Sequence, residues 1–177
     1  MKRTCSLLLV VAALVAMMSG CQSINSAMTP SSRVSTDPFD GTTTVTQPPV
    51  SAAASLTEDW HTLGFEWTAR TPNQVFLTPG VQGIDNIFGL EFNVAGRMIS
   101  ASSASLTTDY ADWSTRRFVV SYQDFVTIAT APIVKMKVSG ANSYGVSSFG
   151  TGTSALVSKK LPTFLQQVQA ARGAKGR

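Results

Sequence analysis

The chain holds one imidazole, His61, and two thiols, Cys5 and Cys21, so the chemistry open to it is narrow. A single histidine cannot build a histidine-rich zinc site, which needs several nitrogen or sulfur ligands in one cage. His61, beside Trp60, is of the right type for a general base, but a lone histidine at the start of a strand more often serves as a surface or hydrogen-bonded residue. Gly145-Val146-Ser147-Ser148-Phe149-Gly150 approaches the glycine-x-serine-x-glycine pattern of a nucleophile elbow. Phe149 stands where the second glycine must be, so the match fails. Glu91, Asp109, Asp112 and Asp124 supply carboxylates for acid–base work only if folding gathers them in one cleft; apart, they are solvated acids. Asp37-Pro38-Phe39-Asp40-Gly41 lacks the further carboxylates of a calcium loop and reads as a turn. Neither a phosphate-cradling glycine loop with its lysine nor a dinucleotide fingerprint is present. The expectation is therefore no catalytic residues, no metal and no cofactor.

The thiols have a different use. Met1-Lys2-Arg3 is a short positive start, and Leu7 to Met18 is unbroken apolar sequence, the order of parts in a secretory signal. Spanning a bilayer takes about 20 apolar residues, and this run is shorter. Met18-Ser19-Gly20-Cys21-Gln22 follows. These residues resemble the lipobox of bacterial lipoproteins, with Met18 in the place usually held by leucine, small Ser19 and Gly20 fitting a narrow peptidase cleft, and Cys21 offering the sulfur. The resemblance covers only the first two dozen residues. It implies cleavage before Cys21, a diacylglyceryl group on its sulfur and often an acyl chain on the new amine. One buried chain binds a membrane marginally and two or three hold stably, at about 0.8 kcal/mol per methylene. Cys5 leaves with the signal, and the lipid accounts for the remaining thiol. In Gram-negative lipoproteins an aspartate after the cysteine retains the protein at the inner membrane. Gln22 in that place implies the outer membrane, facing the periplasm.

The formal charge of +4 invites a search for acidic partners, but Lys2 and Arg3 belong to the signal and half of the excess goes with them. Much of the rest lies near the end, in Lys159, Lys160, Arg172, Lys175 and Arg177, and reads as solvated. No basic stripe interleaved with aromatics suggests nucleic acid.

From Gln22 to about Ser55 the sequence is rich in Ser, Thr, Pro, Asn, Gln and Ala. It buries too little to offset its ordering entropy, so residues 21–55 are expected to be a flexible tether, with Thr42 to Thr46 able to add an edge strand. Past residue 56, alternation with period two marks half-buried strands. Leu63, Phe65 and Trp67 share one face, as do Val75 and Leu77, and Ile84, Phe88, Leu90, Phe92 and Val94. Ala95-Gly96 offers a turn into Arg97 to Leu106. Phe118, Val120 and Tyr122 form a further face, and the strand pattern runs on from Phe125 to Ala131, before Pro132. Val134, Met136 and Val138 should face a core with Lys135 and Lys137 in solvent, and Gly140 to Ser143 should turn the chain into Tyr144 to Phe149. Leu161, Phe164, Leu165 and Val168 follow helical spacing, with Pro162 in a first turn.

The expected plan is a signal peptide at 1–20, a lipidated tether at 21–55, a strand-rich domain at 56–172 and a basic tail at 173–177. Its fold class is mainly β or α+β, an antiparallel sheet or small sandwich with one C-terminal amphipathic helix. Thr107 to Trp113 carries two aromatics between acids. Tyr110 and Trp113 either anchor a partner from an exposed loop or, the favoured expectation, lie buried in a single helical turn under the sheet. Functionally the chain reads as a non-enzymatic, membrane-anchored envelope component contacting a protein or polymer. The alternative is a carrier of a small ligand or lipid, with Phe88, Phe92, Phe118 and Phe125 lining its cavity; a hydrolase comes last.

Overall fold

In the computed structural model, residues 29–83, 85–141 and 143–174 are described. Ser31–Arg177 cluster as one compact unit, separate from the chain before it. Met18, Ser19, Gly20, Cys21 and Gln22 lie outside the described residues, as do Ile84 and Asn142.

This unit is built of antiparallel sheets with a C-terminal helix, as expected, and of one further, unexpected helix. One sheet runs in the order β1 (Arg33–Thr36), β2 (Thr43–Ser51), β3 (His61–Thr68), β4 (Gln74–Gln82), β10 (Phe118–Ser121) and β7 (Ser102–Ser103). Two short strands, β8 (Asp109–Tyr110) and β9 (Trp113–Thr115), extend it, with β9 pairing to β4. The other sheet has the order β12 (Tyr144–Phe149), β11 (Val134–Ser139), β5 (Gly89–Val94) and β6 (Arg97–Ser100). Every one of these strand pairs is antiparallel, both those joined by short turns, such as β5–β6 and β11–β12, and those far apart in sequence, such as β4–β10 and β5–β11. Ala95 and Gly96, both at positive φ, close β5 onto β6. Val134, Met136 and Val138 are buried while Lys135 is exposed and Lys137 half-buried.

The expected tether reaches too far along the chain. Residues 43–51 form the nine-residue strand β2, paired with β3 through Thr44–Thr68 to Ser51–Thr62, and Val45, Gln47, Val50 and Ala52 are buried. Pro48 and Pro49 obscure this strand in the sequence. They are tolerated because β1 pairs only with Thr43 to Thr46, so neither proline owes an N–H on that side, and a register shift between Gln47 and Val50 absorbs them on the other.

Two helices pack against the strands and against each other. α1 (Tyr122–Thr130) replaces the strand expected through Phe125 to Ala131. Ser121 caps it: its Oγ accepts from the Asp124 amide at 3.0 Å and donates to Asp124 Oδ2 at 2.7 Å, and Phe125, Ile128 and Ala129 then fall on one buried face. α2 (Leu156–Ala174) is the expected C-terminal helix, packed on β2 and α1. It begins earlier than its sequence suggests, because Val157 and Ser158 extend the buried face of Leu161, Phe164, Leu165 and Val168. Pro162 therefore sits inside the helix rather than in its first turn. The rings of Phe65, Phe125 and Phe164 meet pairwise at 5.5 Å between centroids, joining β3, α1 and α2 in one core.

Phe88 departs from its expected face, being 59% exposed while Ile87 is buried. The strand starts only at Gly89. The Phe88 amide still donates to the Ser139 carbonyl of β11 at 2.9 Å, but one residue earlier the Ile87 amide donates to Thr108 Oγ1 and its carbonyl accepts from Arg116 Nη1, so the ladder ends there and the parity is not carried back. Phe92, Phe118 and Phe125 are packed in the core. The four phenylalanines therefore line no common cavity.

Candidate functional site

His61 opens β3 and lies against Gly145 and Ser147 of β12. A depression of about 190 Å³ lies there, bordered by Asp59, Trp60, His61, Asp85, Tyr144 and Gly145 among others. Trp60 and Tyr144 are 55% and 66% exposed, while His61 is only 4% exposed. A Cβ on residue 145 would lie 2.5 Å from His61 Cε1 and 2.7 Å from its Nε2, so the ring fits only against a glycine.

The polar groups are tightly committed. Ser147 Oγ donates to the Asp59 carbonyl at 2.6 Å, so at 2.7 Å it accepts from His61 Nδ1–H. This tautomer leaves the Nε2 lone pair on the Gly145 side. Serine–histidine activation needs the opposite direction, with the hydroxyl donating to imidazole, and Ser147 is fully buried. The pair is thus a structural clasp between β3 and β12. The neighbouring acids close the free edge of β12. Asp59 Oδ2 accepts from the Val146 amide at 2.8 Å and Glu58 Oε2 from the Ser148 amide at 3.0 Å, two alternate N–H groups that β11 does not use. Burial raises the Glu58 carboxyl, but the amides of Ser148 and Ala54 outweigh it and hold the group below its ordinary value. Asp85 Oδ1 accepts from the Ala141 amide at 3.1 Å, steadying the turn on the far rim.

Burial pushes the His61 pKa down, with the charge of Asp59 opposing it. The unfolded chain takes up this proton near the ordinary histidine value of about 6.5, the folded chain only at lower pH. Between those values the unfolded state binds more protons, so stability falls as pH drops through the window and levels off below the folded pKa. Urea midpoints measured from pH 7.5 to 5.5 should fall for the native chain and lose much of that slope in His61→Gln; an unchanged slope would place the effect on other groups.

The other acids singled out in the sequence do not converge. Glu91 meets Lys137 Nζ at 3.4 Å, and Asp124 meets Arg97 Nη2 at 2.6 Å. Asp109 and Asp112 are exposed on the β8–β9 hairpin. That hairpin replaces the helical turn expected there: Tyr110 is 54% exposed and Trp113 half-buried, paired to Gln82 at the end of β4. Neither lines the depression, although β4 carries Val81 and Gln82 into its wall. Trp60 and Tyr144 are the aromatics that reach it. Tyr144 could be found in the sequence only as the first residue of a strand, with nothing to mark it as a rim. A larger hollow of about 310 Å³ lies between Asp40, Arg70 and Ala171. Its carboxylate is already spent: the Thr42 hydroxyl and amide, then Arg70, hold Asp40 down at about 2.

Comparison of the chain with known protein families, with characterised proteins and with solved structures gives no match.

Proposed function

We propose that the chain is a lipoprotein cut before Cys21, lipidated on that residue, and held on the periplasmic face of a Gram-negative outer membrane, where its domain binds an envelope protein or polymer without catalysing a reaction. The anchoring part is supported by Met18-Ser19-Gly20-Cys21-Gln22. The observation that carries the binding part is the depression at His61. Its one imidazole is spent on Ser147, its acids on backbone amides, and two exposed aromatic rings stand on its rim. Exposed Trp and Tyr supply large contact area at small entropic cost, so the arrangement favours docking over turnover.

One experiment in cells tests both parts. A photo-crosslinking residue in place of Trp60 or Tyr144 should give a reproducible adduct, and the same residue at exposed Leu106 should not. The chain should incorporate labelled fatty acid, and Cys21→Ala should lose the label and leave the membrane fraction. Label persisting on Cys21→Ala would sink the anchor; no adduct above the Leu106 background would sink the docking site.

A further inference from the structure

Among the described residues, the most exposed large apolar side chains are Leu106, at 97%, and Phe39, at 94%. They sit at opposite ends of the larger sheet. Leu106 follows β7, the last strand of the order, while Phe39 is the tip of the hairpin joining β1 to β2, the first two. Adjacent strands lie about 4.8 Å apart, so roughly 24 Å of sheet separates the two edges.

The Phe39 tip is held by hydrogen bonds within the turn. Asp37 Oδ1 accepts from the Phe39 amide at 2.8 Å, Asp40 Oδ1 from the Thr42 amide at 2.9 Å, and the Asp37 carbonyl from the Gly41 amide at 2.8 Å. Arg70 adds an ion pair to Asp40. An aromatic ring is thus held in water by a turn with its own internal bonding. Val34, half-exposed on β1, lies on the same hairpin.

Among the described residues, the hairpin is also the first element after Cys21. Eleven residues lie between Cys21 and Arg33, a reach of about 40 Å fully extended, which is close to the diameter of a domain this size. Anchored at Cys21, the domain cannot leave the surface, and the confinement puts its near edge at an effective concentration in the millimolar range. A contact too weak to recruit a free protein is then populated. Asp40 is paired with Arg70, and the hairpin further carries Arg33 and Asp37, one residue of each sign. That near-balance suits a zwitterionic headgroup layer rather than a strongly anionic one.

We infer that Phe39 enters the headgroup layer of the bilayer that holds the Cys21 lipid, orienting the domain with the β1–β2 hairpin toward the membrane. This rests on the lipid-anchor reading and adds an orientation to it.

The test places the environment-sensitive fluorescent amino acid Anap at position 39, or at 106 as control, and reads two preparations on phosphatidylcholine–phosphatidylethanolamine vesicles. One is the chain lipidated in cells; the other is the mature chain coupled through the Cys21 thiol to a maleimide lipid. Position 39 should shift to the blue on both, and a nitroxide at the headgroup boundary should quench it at least two-fold, with position 106 unchanged. Equal quenching at 39 and 106, or none at 39 on the coupled protein, overturns the inference. Absence of lipid on the chain made in cells, with quenching at 39 intact on the coupled protein, overturns the anchor reading instead and leaves the membrane-binding capacity of the hairpin standing.

Discussion

Phe65→Ala should lower the free energy of unfolding by about 3–5 kcal/mol, against a total of roughly 5–15 kcal/mol for a domain of this kind. Phe65 is buried at the centre of β3, and its ring lies 5.5 Å from both Phe125 and Phe164. Truncation removes its transfer free energy, opens a cavity that β3 and the two helices cannot jointly close, and deletes two aromatic contacts worth about 0.5–1.5 kcal/mol each. Urea unfolding measures the loss. Combining it with Phe125→Ala should cost less than the sum of the single changes, because the two share one contact. A loss below about 1 kcal/mol would mean that α1 and α2 do not meet on β3.

The same cluster shows what could be read from the sequence. Leu63, Phe65 and Trp67, or Val134, Met136 and Val138, reveal their faces because a half-buried strand imposes a period of two that tertiary context seldom overrides. The segment after Phe118 is different. Apolar residues continue through Val119, Val120 and Tyr122 into Phe125, Val126 and Ile128, and hydrophobicity alone does not show where strand yields to helix. The signal was present: Ser121 and Asp124 have the spacing of a reciprocal helix cap, and Phe125, Ile128 and Ala129 follow at helical intervals. The β2 strand was hidden for another reason. Its threonines, glutamine and two prolines resemble a linker until the short length of β1 shows that the prolines owe nothing to a neighbour.

The depression was less legible than the fold. His61 and Trp60 could be named, and the serine-containing stretch at Gly145 to Gly150 could be dismissed as an elbow. That Ser147 from this stretch would clasp His61, 86 residues away, depends on β3 and β12 meeting across two sheets, which no local pattern encodes. Glu58 and Asp59 were equally silent, since a carboxylate that seals a strand edge has the same sequence appearance as one in solvent. Tyr110 and Trp113 erred in the other direction. Their aromatic character argued for burial, yet a two-residue strand paired to β9 leaves Tyr110 outside.

The link between this site and the helices can be tested at one residue. Gly150 ends β12 at φ +134°, where L side chains are strained, and a Cβ there would meet the Pro132 carbonyl oxygen at 2.6 Å and that of Ala131 at 2.8 Å. Both oxygens are in use, accepting from the Gly152 and Thr151 amides at 2.9 Å, and the Gly150 amide itself donates to Ser158 Oγ at 2.9 Å. Gly150→Ala must therefore strain the backbone and displace bonds that tie the end of β12 to the start of β11 and to α2. The expected cost is roughly 3–5 kcal/mol, from about 1–3 for the dihedral and about 1 for each hydrogen bond lost. Gly41 is the control, since it also has positive φ, +69°, but nothing lies within 4 Å of its added Cβ; Gly41→Ala should cost only about 1–2 kcal/mol. The Gly150 change should also weaken crosslinking from Tyr144, at the other end of the same strand, whereas Gly41→Ala should leave it intact. Equal losses of stability in the two variants would mean that the close approach at Pro132 is absent, and unchanged crosslinking in a destabilised Gly150→Ala would mean that the rim of the depression is set by the sheets alone.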